Sequence, residues 1–168
     1  MARYRKIDPR IWNDENFLEM EPLHKLIWFT LLTHPLMTPM GAGVLTPAIL
    51  DEVIGNAREW CWRCQDYCKI HHAETILGWF EERSMILSSN LTGSGLIVVK
   101  NYLRYNCPEN PNQLAGWIEC VEELPRSPLW KILRDHIAEE MDGPAWLFDG
   151  LLNPLADNKM HGLKALYW

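Results

Sequence analysis

The sequence has no apolar run near the roughly 18 residues of a membrane-spanning helix, so no membrane partner is expected. Its first stretch, MARYRKIDPRIWNDEN, has no apolar h-region, which argues against a secretory signal. The cysteines number five, an odd count, and without a secretion signal the expectation is reduced thiols in a cytoplasm. An excess of positive charge is missing too: 16 Lys/Arg stand against 22 Asp/Glu, a formal charge of −6. That balance excludes a protein that coats nucleic acid by charge alone. Neither GxxxxGK[ST] nor GxGxxG occurs, which leaves nucleotide hydrolysis and dinucleotide binding without support. His24, His34, His136 and His161 are scattered, with no nucleophile or carboxylate at a spacing that would build a hydrolase. Glu119, Glu122 and Glu123 read as a solvated helix face rather than as paired metal-binding carboxylates. The chain therefore reads as a non-enzyme with no cofactor, and it shows no internal repeat or low-complexity tract.

What is present is enough for a packed core. The chain has 168 residues, 48% hydrophobic and 23% charged, with nine tryptophans. So many tryptophans imply that some lie on the surface, where they serve as partner anchors. Charge is unevenly spread: residues 1–108 carry 11 Lys/Arg against 12 Asp/Glu, and residues 109–168 carry 5 against 10. The first region reads as one domain, 1–108, and the second, 109–168, as an acidic helical extension and tail.

Along the chain, RYRKIDPRIW reads as a short strand or arm that Pro9 ends. Leu23, Leu26, Ile27 and Leu31 repeat at helical spacing, and Pro22 suits a first turn, which predicts a helix from Glu21 to about Thr33. THPLMTPMGAG is a loop marked by proline and glycine. GVLT is a short strand. Thr46-Pro47 is an N-cap followed by proline at the first helical position, predicting a helix to about Ile54. AREWCWRCQDYCKI, residues 57–70, reads as a helix, inserted before a further helix in HHAETILGWFEERSMI. MILSSN and LIVVKNYL flank LTGSG and read as a β-hairpin whose second strand runs to Leu103. Two helices follow, roughly 111–124 and 128–141.

Cys61, Cys64, Cys68 and His71 are a zinc-type donor set. On one continuous helix the first and last of them would lie about 15 Å apart at a rise of about 1.5 Å per residue. Zinc ligands sit about 2–2.3 Å from one ion. The spacing therefore favours small core residues, and no metal site is expected.

The order helix, short strand, helix, helix, β-hairpin is that of a winged helix-turn-helix, an α+β and mainly α fold with a C-terminal helical extension here. Three tracts carry a resemblance: RYRKIDPRIWNDENF, LIWFTLLTHPLMTPMG and KNYLRYNCPENPN. They resemble the N-terminal winged-helix domains of phage and prophage replication proteins, the replisome organisers and DnaD-like initiators. The resemblance covers about residues 3–124. It implies duplex DNA as the partner, with the helix before the hairpin reading the major groove and the hairpin acting as wing.

On that reading the DNA-binding residues are Arg3, Arg5 and Lys6 of the arm, His71, His72, Thr75 and Arg83 of the recognition helix, and Lys100 and Arg104 behind the wing. The same helix also carries Glu74, Glu81 and Glu82, a poor face to offer phosphates, and the wing tip 91–95 has no cation. The alternative is a phage-encoded inhibitor on the same fold, of the anti-CRISPR kind, that blocks a host nucleoprotein complex. Its partner-binding residues would be Trp60, Trp62, Glu74, Glu81, Glu82 and Trp168. Winged-helix proteins often pair through added helices, which extends the expectation to a homodimer.

Overall fold

The computed structural model describes residues 5–55, 60–61, 66–67, 72–89 and 95–140; at residues 60, 61, 66, 67, 72, 121, 122 and 137–140 this holds for the backbone only. The fold is mixed α+β and mostly helical. Among the described residues it has seven α-helices, a three-stranded antiparallel sheet and a two-stranded ladder. No described helix is long and apolar enough to cross a membrane.

Proline placement sets many of the boundaries. Pro9 does not end a strand; it opens a 3₁₀ turn over Pro9–Asn13, capped by the Asp8 carboxylate accepting from the Arg10 N–H. Its missing N–H is harmless in a first turn, where no intrahelical acceptor exists. A short helix α1 (Glu15–Glu19) follows, which the sequence reading lacked; Asp14 caps it by accepting from the Phe17 N–H. Pro22 opens α2 (Pro22–Thr33). After the loop comes β1 (Ala42–Val44), and then α3 (Pro47–Ile54), where Thr46 is the N-cap.

The described residues of 57–70 depart from the helix expected there. Trp60–Cys61 (β2) pairs antiparallel with Asp66–Tyr67 (β3), Trp60 opposite Tyr67. Aromatic residues fit an extended pair as readily as a helix, and four intervening residues suffice for a hairpin. A single continuous helix is ruled out, and with it the collinear cysteine stripe from which zinc was excluded. Cys64, Cys68 and His71 lie outside the described residues.

α4 (His72–Glu82) leads into β4 (Ile86–Ser88) and β5 (Leu96–Val99). The sheet order is β1-β5-β4, with Ala42 opposite Val98 and Leu87 opposite Val98 on the other side. β5 stops at Val99 rather than Leu103, because Ile86 opposite Val99 is the end of the ladder. Beyond the Lys100 N–H, which donates to Met85 at 3.1 Å, the backbone bonds close locally. They form the one-turn helix α5 (Tyr102–Tyr105).

Alternation along β5 serves two cores at once. Ile97 and Val99 face Phe17, Ile27, Leu31, Leu77 and Phe80 of the helices on one side. Leu96 and Val98 face Leu114, Leu129, Trp130 and Leu133 on the other. These come from α6 (Pro111–Glu122) and α7 (Leu129–Glu140). All four residues of β5 are buried, as a strand covered on both faces must be. The described part of the acidic extension is thus packed on the sheet. Trp130 is fully buried and its indole N–H donates to the Pro125 carbonyl at 3.0 Å.

Two described glycines are demanded by the packing: at Gly43 a Cβ would meet the Leu36 carbonyl oxygen at 2.5 Å, and the other is Gly41. Its φ is +73°, and a Cβ there would run into the ring of Tyr102. The one-turn helix after β5 is thereby pressed onto the loop before β1.

Candidate functional site

α4 is buried along Ala73, Ile76, Leu77 and Phe80. Residues three and four apart share a face of a helix, so burying this stripe turns the intervening positions outward. Glu74, Thr75, Glu81 and Glu82 are exposed. Glu81 accepts a hydrogen bond from the Ser88 hydroxyl, tying the helix to β4. Arg83 does not join this face as a free cation. Its guanidinium lies over the Trp79 ring, 3.8 Å from the centroid, and its Nη2 reaches Glu19 at 3.3 Å. Trp79 in turn meets His24 and Phe80 edge-on, at 5.0 and 5.5 Å.

The described arm residues are also spoken for. The Arg5 guanidinium donates to the carbonyls of Leu32 at 3.3 Å, His34 at 2.8 Å and Met37. The first two lie at the C-terminal end of α2, where carbonyls lack helical partners and the helix dipole favours a cation. Lys6 holds Glu109 at 3.4 Å, and its backbone N–H donates to Asn106 at 2.8 Å. Arg10 grips Asp8 at 2.6 Å. The Arg10 hydrogen bonds hold the Asp8 carboxyl below the usual range and push the Arg10 guanidinium above its own.

No ion pair among the described residues involves Lys100 or Arg104. Arg104 is exposed on α5, two residues before Asn106, whose side chain binds the Lys6 backbone. Of the remaining predicted residues, His72 and Trp60 are described by backbone only. Arg3, His71, Trp62 and Trp168 lie outside the described residues, as do positions 91–94 of the wing tip. The structure therefore brings together the carboxylates of α4 but does not join the described arm cations, Arg5 and Lys6, to them.

A cleft of about 470 Å³ opens between the 3₁₀ turn and α2, β5 and α5. Phe17, Trp28, Val99 and Tyr102 form its apolar part, with Asn13, Asn16 and Asn106 among its polar lining. Its charged residues are Lys6, Asp8, Arg10 and Asp14; Asp8 pairs with Arg10 and Lys6 with Glu109, so the lining carries both signs equally. Among the described residues no three His, Cys, Asp or Glu side chains converge on a metal-sized site.

Sequence reasoning passed over Trp12. It stands 60% exposed, its ring edge-on to Phe17 at 5.2 Å and tilted to Phe29 at 6.5 Å. The available signal was the Asp14 cap, which sets the short helix that places Phe17 beside it. No family model matches the chain, and no curated protein or solved structure matches it either.

Proposed function

We propose that the chain is a winged helix-turn-helix protein of phage origin whose α4 face binds a protein rather than duplex DNA. Its partner on this reading is a host nucleoprotein complex, met in the bacterial cytoplasm and blocked at its nucleic-acid-binding surface. The element order α2, β1, α3, α4, β4, β5, with the sheet order β1-β5-β4, supports the winged-helix reading. The observation that carries the functional reading is the exposed face of α4, with Glu74, Glu81 and Glu82 outward and Arg83 drawn onto Trp79 and Glu19.

Each carboxylate held about 8 Å from a phosphate costs roughly 0.5 kcal/mol in water, and more where water is excluded. Three of them work against major-groove entry. Against a Lys/Arg-rich protein surface the same charges raise the association rate and select the partner. The protein acts by occupancy, without catalysis.

A second reading has one observation in its favour. Lys6, Arg104 and Lys100 lie on or beside the segment that follows the sheet, and the Lys6–Glu109 pair is an exposed one, worth less than about 1 kcal/mol. Duplex DNA binding through these cations is the function that the phage replication resemblance implies. An electrophoretic shift with duplex DNA at low salt separates the two. The protein reading expects no shift, together with binding to a purified host nucleoprotein complex that Glu81→Lys/Glu82→Lys abolishes. A shift lost on Lys100→Ala/Arg104→Ala would overturn it in favour of DNA.

A further inference from the structure

The partner's chemistry follows from a second feature of the same surface. Trp12 and Leu18 are each 60% exposed, more than any other large apolar residue described. Neither sits on loose chain. Trp12 belongs to the Asp8-capped 3₁₀ turn, and its ring is braced edge-on by Phe17, with an interplanar angle of 89°. Leu18 belongs to α1, which the Asp14 cap holds. Apolar side chains on ordered backbone lose little further freedom when a partner covers them. Tryptophan is also the residue type most enriched among dominant binding anchors.

Carboxylates outnumber cations around this pair, where Lys25 lies over the Phe17 ring at 5.2 Å and Arg10 is paired with Asp8. Glu15, Glu19 and Glu21 are exposed on α1 and just after it. The Glu19–Arg83 contact at 3.3 Å joins α1 to the end of α4, next to Glu81 and Glu82. The protruding anchors and the α4 carboxylates are therefore parts of one surface.

Resting on the protein-binding reading above, we infer that Trp12 and Leu18 are the apolar anchors of this acidic surface. The occupant is a Lys/Arg-rich protein surface containing an apolar cleft, into which the two side chains insert. A protruding pair requires a concave partner, and the flanking carboxylates require cations at its rim. A second copy of this chain would set like charges against one another, which costs free energy rather than gaining it. An anionic lipid surface is disfavoured for the same reason.

The test measures fluorescence anisotropy of a labelled Lys/Leu amphipathic helical peptide, a probe that sets cations beside apolar grooves between its leucine ridges, against the full chain at about 50 mM salt. Trp12→Ala and Leu18→Ala are each expected to weaken binding roughly tenfold. Trp12→Phe, which retains an edge contact to Phe17, falls between. Glu81→Gln/Glu82→Gln weakens binding and flattens its salt dependence. Unfolding curves of the variants guard against loss of fold, and Leu18→Ala serves alone if Trp12→Ala is unstable. If the anchor variants bind like the parent while the glutamine pair binds weakly, the anchor role is overturned and the acidic-face reading stands. If the peptide fails to bind at about 100 μM, both are overturned.

Discussion

The Arg5 guanidinium donates to the carbonyl of His34 at 2.8 Å, 29 residues along the chain. With its further bonds to Leu32 and Met37 it closes the C-terminal end of α2. A residue expected to meet phosphate thus holds the domain's first long helix to its arm. Arg5→Ala should lower stability by about 2–3 kcal/mol, since charge-assisted bonds to three carbonyls are lost. Arg5→Lys should recover little, because a single ammonium cannot span three acceptors. Urea unfolding measures this as a lower midpoint at unchanged slope; a midpoint equal to the parent's would contradict the role.

Gly41→Ala places a Cβ against the Tyr102 ring at a backbone position with φ of +73°. Strain and overpacking act together, and a loss of about 3 kcal/mol is expected. Thermal unfolding should report a Tm lower by about 6–12 °C for a chain of this size. An unaltered Tm would mean that α5 is not pressed on this loop.

The Tyr102 hydroxyl is buried without a hydrogen-bond partner among the described residues. Burial pushes its pKa up, against a smaller downward pull from Arg5. A group whose folded pKa is raised adds stability that is full below its unfolded value of about 10. That stability is lost as pH rises through the folded value, since the unfolded chain ionises first. Stability should therefore fall above about pH 10. Tyr102→Phe should lessen the fall and leave neutral-pH stability equal or higher by up to about 1 kcal/mol. Urea midpoints across alkaline pH check both; a variant less stable at neutral pH would point to a hydroxyl partner.

Trp130→Ala opens the core between the sheet and α7, where Trp130 is fully buried among Leu96, Val98 and Leu133. A loss of about 3–5 kcal/mol is expected. The unfolding transition should stay single, because β5 belongs to both cores. Two separated transitions would show that the extension folds as an independent unit.

Much of the helical framework is written in short-range signals. Pro22, Thr46-Pro47 and the apolar repeat of Leu23, Ile27 and Leu31 mark α2 and α3 because proline placement and capping act within one turn. The β4–β5 hairpin is legible for the same reason: its two apolar runs are joined by a glycine-rich tip. Residues 57–70 were not legible, since an aromatic run satisfies helix and strand alike and only pairing chooses.

The candidate surface divides along the same line. Helical periodicity alone puts Glu74, Glu81 and Glu82 on the exposed side of α4, because the buried stripe of Ile76, Leu77 and Phe80 leaves them no other direction. The fate of the cations could not be read that way. Arg5, Lys6 and Arg83 meet partners 29, 103 and 64 residues away. The bracing of Trp12 by Phe29 is likewise a tertiary contact. Local sequence determined which side chains face outward, through periods of a few residues. Only tertiary packing decided which outward charges are neutralised and which stay exposed, because charges pair by proximity in space and not along the chain.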